Sequence, residues 1–98
     1  MRIDIVGDES IDRQTRIYAE YRLFAALAPS IDLRRFCRAR LVLRRAPAPA
    51  GATRIECAVD VESKDGAVTR FSAAGGHPYA AVNHAVERVR RAARVLSG

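Results

Sequence analysis

Arginine is the residue through which this chain could do chemistry. Near the C-terminal end Arg88, Arg91 and Arg94 recur at steps of three, with Arg90 beside them. That spacing keeps them on one side of a helix. Arg13, Arg16 and Arg22 precede them on an earlier helical stretch. A guanidinium is a planar, permanently charged fork that grips phosphate and stacks on bases. The chain holds 17 Lys and Arg against 11 Asp and Glu, for a net charge of +6, and Lys64 is its only lysine. Such a balance makes a polyanion the first partner to consider. A coding bias toward Arg explains the choice of Arg over Lys but not the excess of positive charge.

Other chemistries find little support. His77 and His84 share a helix face two turns apart, too far to ligate one metal ion unaided. Two cysteines, Cys37 and Cys57, cannot close a zinc site and form no CxxC. Both fall on inward positions of predicted strands and read as reduced core thiols. Gly75-Gly76 before a helix could hold an anion at the helix N-terminus, although ordinary helix initiation explains the pair as well. There is no Ser-His-Asp ordering, no glycine-rich phosphate loop and no carboxylate pair near the arginines. The chain is therefore expected to be no enzyme and to need no cofactor or metal. Its N-terminus, Met1-Arg2-Ile3-Asp4-Ile5, alternates and is not a signal peptide. No apolar run approaches the ~20 residues of a membrane span, so a cytoplasmic protein is expected.

The elements that must position these arginines follow from periodicity. Met1 to Val6 reads as a strand with Ile3 and Ile5 on one face. Asp12 is a good N-cap for a helix from Arg13 to about Ala28, which stops before Pro29. Ala19, Leu23 and Ala26 line one face of it, led by Thr15. A second apolar set, Ile17, Tyr21, Phe24 and Ala28, makes the helix apolar on more than one side. Arg34 to Arg45 is a half-buried strand, with Cys37, Ala39, Leu41 and Leu43 inward. Ala46 to Gly51 is a proline-rich loop. Thr53 to Ser63 is the clearest strand, with Ile55, Cys57, Val59 and Val61 inward and Glu56, Asp60 and Glu62 outward. Lys64-Asp65-Gly66 signals a hairpin turn, and Val68 to Ala74 a fourth strand with Thr69, Phe71 and Ala73 on one face. Pro78 suits the first position of the last helix, whose apolar stripe is Tyr79, Val82, Val86, Val89, Ala93 and Leu96.

The order β-α-β-β-β-α makes an α+β fold. A right-handed parallel crossover joins the first two strands, and antiparallel hairpins join the rest. The alternating strands imply a four-stranded mixed sheet with both helices on one face and the other face wet. Ninety-eight residues make a single domain, residues 1–98.

Six arginines lie between Arg34 and Arg45 with no acid among them. Arg38, Arg40 and Arg44 either pair with Glu56, Asp60 and Glu62 on the next strand or remain free for a polyanion. Arg34, Arg35 and Arg45 flank the strand and are less easily neutralised. The helix arginines have fewer acidic neighbours, since Glu87 is the only acid after Asp65. If the two helices lie side by side, Arg13, Arg16 and Arg22 can join Arg88, Arg90, Arg91 and Arg94 in one basic patch.

Three stretches resemble the ribosome hibernation family, which includes the hibernation-promoting factor and the ribosome-associated translation inhibitor and was once labelled sigma-54 modulation. Met1 to Gly7 is similar to its opening strand. Arg16-Ile17-Tyr18-Ala19-Glu20-Tyr21-Arg22-Leu23 is similar to its first helix. Ser72 to Arg94 resembles its end: a small-residue strand, Tyr79-Ala80-Ala81-Val82-Asn83, then basic residues at Arg88, Arg91 and Arg94. The resemblance implies a fold similar to a double-stranded-RNA-binding domain and a non-enzymatic, stress-response role. Such proteins bind the small ribosomal subunit, where mRNA and tRNA anticodon stems sit, and silence idle ribosomes by occupancy. It assigns contact with 16S rRNA to Arg16, Arg22, Arg88, Arg91 and Arg94, with Arg90 alongside. Arg13, Arg34, Arg35 and Arg45 are possible further contacts.

The chain departs from the pattern in four places. His77 stands where an acidic N-cap is usual, Asn83 replaces a typical Asp, and Ala92 and Val95 replace polar or basic positions. The resemblance also implies a short form, without the second domain with which long members pair ribosomes. Two other readings compete with it. One is a general binder of structured RNA. The other is a protein-interaction module using Ile17, Tyr21 and Phe24, which either pack under Ile31, Leu33 and Phe36 or mark a protein contact.

Overall fold

The computed structural model of the protein describes residues 2–9, 11–28, 36–47 and 49–97, apart from the side chains of residue 50 and of residues 93–97. Its elements are β1 (Arg2–Gly7), α1 (Arg13–Leu27), β2 (Phe36–Ala46), a 3-10 turn (Pro49–Gly51), β3 (Arg54–Ser63), β4 (Val68–Gly75) and α2 (Pro78–Ser97). This is the β-α-β-β-β-α order expected from the sequence. The sheet runs β1-β2-β3-β4, with β1 parallel to β2 and the other two pairs antiparallel. The expected positions 29–35, and with them Ile31, Leu33, Arg34 and Arg35, lie outside the described residues.

Alternation builds the core. Ala39, Leu41 and Leu43 of β2 and Ile55, Cys57, Val59 and Val61 of β3 are all buried, and every second residue between them is not. They join Ala19, Leu23, Ala26 and Leu27 of α1 and Ala81, Val82, Ala85, Val86 and Val89 of α2 in one cluster. The sheet thus has one covered and one open face, as a period of two with polar partners requires.

Local chemistry sets the ends. Asp12 caps α1 by accepting the Thr15 N–H at 2.7 Å, and that hydrogen bond holds its carboxyl below the usual range. The β3–β4 hairpin turns through Gly66, whose φ of +92° suits glycine. The Ser63 hydroxyl and the Ala67 N–H both donate to Asp65 across that turn.

Gly75 and Gly76 do different jobs. A Cβ on Gly75 would lie 2.8 Å from both the Ala80 Cβ and the Ala81 nitrogen, where β4 runs into α2. A Cβ on Gly76 would meet nothing within 4 Å. The pair therefore serves a close strand-to-helix turn through one glycine only. Gly75→Ala is expected to cost about 1–3 kcal/mol by overpacking, a fall in Tm on the order of 5–20 °C. Gly76→Ala should stay within about 0.5 kcal/mol. Thermal unfolding of the two variants checks the contrast.

Two expectations need correction. Cys37 is exposed rather than inward. The pairing of β2 with β3 shifts register between Phe36 and Arg38, so the alternation that buries Ala39 does not extend back to it. Tyr79 is 38% exposed and sits beside the apolar stripe, not within it. The positions that close the α2 interface are instead Ala81 and Ala85, whose small side chains let the helix approach the sheet. Ile17, Tyr21 and Phe24 are 57%, 69% and 51% exposed, whereas Phe36 packs against the cluster; their expected partners Ile31 and Leu33 lie outside the described residues. Cys57 is buried as expected, and desolvation pushes its thiol up to about 12, which keeps it protonated and unreactive.

Candidate nucleic-acid interface

The topology makes the two helices parallel. β1 and β4 point the same way across the sheet, and α1 and α2 each reverse direction after one of them. The helices meet at their N-terminal turns. The Tyr18 hydroxyl donates to Asn83 Oδ1 at 2.6 Å, and the Tyr18 and Tyr79 rings pack edge to face with centroids 4.6 Å apart. The His77 ring caps the start of α2: the Ala80 N–H donates to Nδ1 at 3.4 Å.

Helical geometry then sorts the arginines by flank. Arg22 lies one turn beyond Tyr18, on the flank facing α2. Glu87 and Arg90 lie one and two turns beyond Asn83, on the flank facing α1. The groove between the helices therefore carries Arg22, Glu87 and Arg90, with Arg91 on its outer lip. Arg22 is half-buried, and its Nε is buried without a hydrogen-bond partner among the described residues. Arg90 donates to both Glu87 oxygens at 3.0 and 2.8 Å, and Arg91 lies 3.4 Å from the same carboxylate. The Arg90 hydrogen bond, followed by the two guanidinium charges, holds Glu87 below the usual carboxylate range. One acid therefore shares two arginines, and the patch is less bare than the sequence suggested. Exposed pairs of this kind are worth only ~0–1 kcal/mol, so a phosphate can displace Glu87.

The remaining candidates lie elsewhere. Arg16 is on the opposite flank of α1, roughly 120° round from Arg22. It donates to the carbonyls of Gly7 at 3.0 Å, Ile11 at 3.4 Å and Asp8 at 3.5 Å, tying the β1–α1 connection together. Arg13 is exposed on that side too, half a turn from Arg22. Arg88 is on the far flank of α2, facing the β4 edge. Arg45 is exposed at the end of β2, and its backbone N–H donates to Asp8 Oδ2 at 3.4 Å. Arg94 continues α2, but its side chain is outside the described residues. The single patch imagined from both helices is thus split: helical geometry turns Arg22, Arg90 and Arg91 to the side where the two helices meet, and Arg13, Arg16 and Arg88 away from it, while Arg45 lies on β2.

The open sheet face is a lattice of ion pairs. The register sets Arg38, Arg40 and Arg44 opposite Glu62, Asp60 and Glu56. Arg44 takes its opposite partner, at 2.8 Å from Glu56, while Arg40 acts on Asp60 through its charge without a short ion pair. Arg38 turns to Asp4 on β1 at 3.1 Å, and Asp60 is held by Arg70 of β4 through bonds of 2.7 and 2.9 Å. Those Arg70 hydrogen bonds keep the Asp60 carboxyl below its ordinary value. Arg54, which sequence reasoning passed over, stands beside this lattice at the start of β3. Its position two residues before Glu56 on the outward face was the available signal.

Among the described residues no cluster could hold a metal ion, and no helix is long and apolar enough to cross a membrane. The fold and site together define an α+β domain with a cationic groove in its helix layer. No family model and no curated protein matches the chain. Solved structures do. A ribosomal subunit interface protein from Coxiella burnetii superposes with a TM-score of 0.73 at 12% identity, over 98% of this chain and 97% of that one. The N-terminal domain of Thermus thermophilus Protein Y superposes with a TM-score of 0.67 at 24% identity, over 98% and 99%. The protein has the fold that these two share, and the resemblance read from the sequence is borne out at that level.

Proposed function

We propose that this protein is a ribosome-associated factor of the hibernation family. It binds the small subunit through 16S rRNA in the mRNA and tRNA channel and inhibits translation or preserves idle ribosomes. The observation that carries this reading is the interhelical groove. Helical geometry turns Arg22, Arg90 and Arg91 toward it, on a fold whose solved instances include a ribosomal subunit interface protein. The mechanism is occupancy. Arginines exchange a weak carboxylate partner for phosphates, counterions are released, and the bound domain excludes mRNA and tRNA. Duplex RNA is recognised largely by shape and by phosphate and 2′-OH contacts, which suits a groove between two parallel helices. The protein acts in the cytoplasm, as one ribosome-binding domain, without a cofactor.

The test is sedimentation of purified small subunits with this protein through sucrose, at moderate and high salt, with and without a tRNA anticodon stem. Stoichiometric binding that the stem displaces is expected. Binding indifferent to the stem would instead indicate a general RNA binder. The exposed Ile17, Tyr21 and Phe24, which with Ile3 and Glu20 line a shallow groove, favour a second reading as a protein contact. Their replacement by Ser would then abolish partner binding and leave RNA binding intact.

A further inference from the structure

Most outward positions of the sheet carry long charged side chains, but at one end of β3 and β4 they shrink. Ala58 pairs with Ser72 and Glu56 with Ala74, so small side chains lie together there. They floor an open depression of about 430 Å³, rimmed by Arg54, Glu56 and Arg88. Arg88 belongs to α2, on the covered side of the sheet, and reaches the depression round the outer edge of β4. A second contact fixes that approach: His84, one turn earlier on the same flank, lies with Nδ1 3.0 Å from the Ala74 carbonyl of β4.

Both arginines are weakly engaged at most. Arg88 forms no ion pair among the described residues. Arg54 approaches one acid, Glu56, at 3.9 Å, and that carboxylate already accepts two hydrogen bonds from Arg44 at 3.0 and 2.8 Å. One unpaired guanidinium, Arg88, and one in a single long ion pair, Arg54, therefore face one shallow depression from opposite faces of the sheet, where Ser72 is exposed. Permanently charged forks around a small-residue floor match the phosphodiester backbone of RNA, whose phosphates need donors and whose sugars need room.

We infer that bound RNA does not stop at the helix layer. Its backbone rounds the β4 edge, and Arg54 and Arg88 hold neighbouring phosphates over the depression. This rests on the RNA-binding reading above and extends it to a second surface, with Arg54 as a new contact. It also explains why Arg88 stands apart from the groove arginines: it bridges the two surfaces.

The experiment compares Arg54→Ala, Arg88→Ala and the double variant with wild type, by small-subunit binding across a salt series. Arg2→Ala serves as a charge-matched control, since β1 is the opposite edge of the sheet. Each single variant is expected to weaken binding roughly five- to tenfold and to reduce the log–log salt slope by about 0.7–0.9; in the double variant the fold losses multiply, to roughly 25- to 100-fold, and the slope change doubles. Arg2→Ala should change neither. Unaltered thermal unfolding shows that the variants are folded. Wild-type affinity and slope in Arg54→Ala, alongside a weakened Arg88→Ala, would overturn the second surface and leave the groove reading standing. Equal losses in Arg2→Ala would reduce the effect to net charge and overturn it too. Failure of wild type to bind small subunits would remove both readings together.

Discussion

Neutralising the groove arginines together, as R22Q/R90Q/R91Q, is expected to lower small-subunit affinity by about a hundredfold or more at physiological salt, and to flatten its salt dependence. Each phosphate contact contributes about 0.7–0.9 to the log–log slope, so three lost contacts remove about 2–3. Between 50 and 200 mM salt the variant should lose roughly 20- to 40-fold less affinity than wild type does. Glutamine keeps a long polar stem and a good helix propensity, so the helices remain. The same groove predicts a change of opposite sign. Glu87 competes with phosphate for Arg90 and Arg91, from which it lies 2.8 and 3.4 Å. Glu87→Gln should therefore strengthen binding severalfold, as removing a like charge from a phosphate site does. A fold-only account of the arginine variant cannot produce that reversal. Sedimentation titrations of both variants decide it; binding unchanged in R22Q/R90Q/R91Q would sink the groove and favour the protein-contact reading.

What the sequence made legible was whatever depends on short range. The strict alternation from Ile55 to Val61 specifies β3 and its covered face, because a side-chain period of two admits one register against a core. Asp12, three residues before Thr15, specifies the start of α1 by its cap. The number and order of elements then leave few topologies, and the parallel β1–β2 pair follows. What was not legible depends on partners distant in sequence. Arg38 faces Glu62 in register but bonds to Asp4, 34 residues away. Arg16 looks like any helix arginine until β1 brings the Gly7 carbonyl within 3.0 Å of it. The split of Arg88 from Arg90 needs the direction in which α2 faces the sheet, and two neighbouring arginines on an amphipathic helix fall naturally on opposite flanks. Cys37 was misread because alternation was continued through a register shift that no residue type there announces.

Leu41→Ala should be the most damaging single change to the fold. Leu41 is fully buried on β2, paired on one side with Ile5 of β1 and on the other with Val59 of β3. Truncation removes packing that the sheet cannot recover by collapse, since β2 is held by strands on both sides. The expected cost is about 2–5 kcal/mol, a large share of the 5–15 kcal/mol typical of a domain, and a drop in Tm on the order of 10–25 °C. Phe24→Ala, at a larger but exposed side chain, should stay within about 0.5 kcal/mol; a comparable loss there would mean that this flank is packed in solution. The two kinds of variant separate stability from recognition. Below its lowered Tm, Leu41→Ala still places α1 and α2 on the same sheet and should bind small subunits with near wild-type affinity per folded molecule. R22Q/R90Q/R91Q should do the reverse, keeping its Tm and losing the ribosome. Binding that instead tracked Tm across both would mean that the arginines act through folding rather than through phosphate.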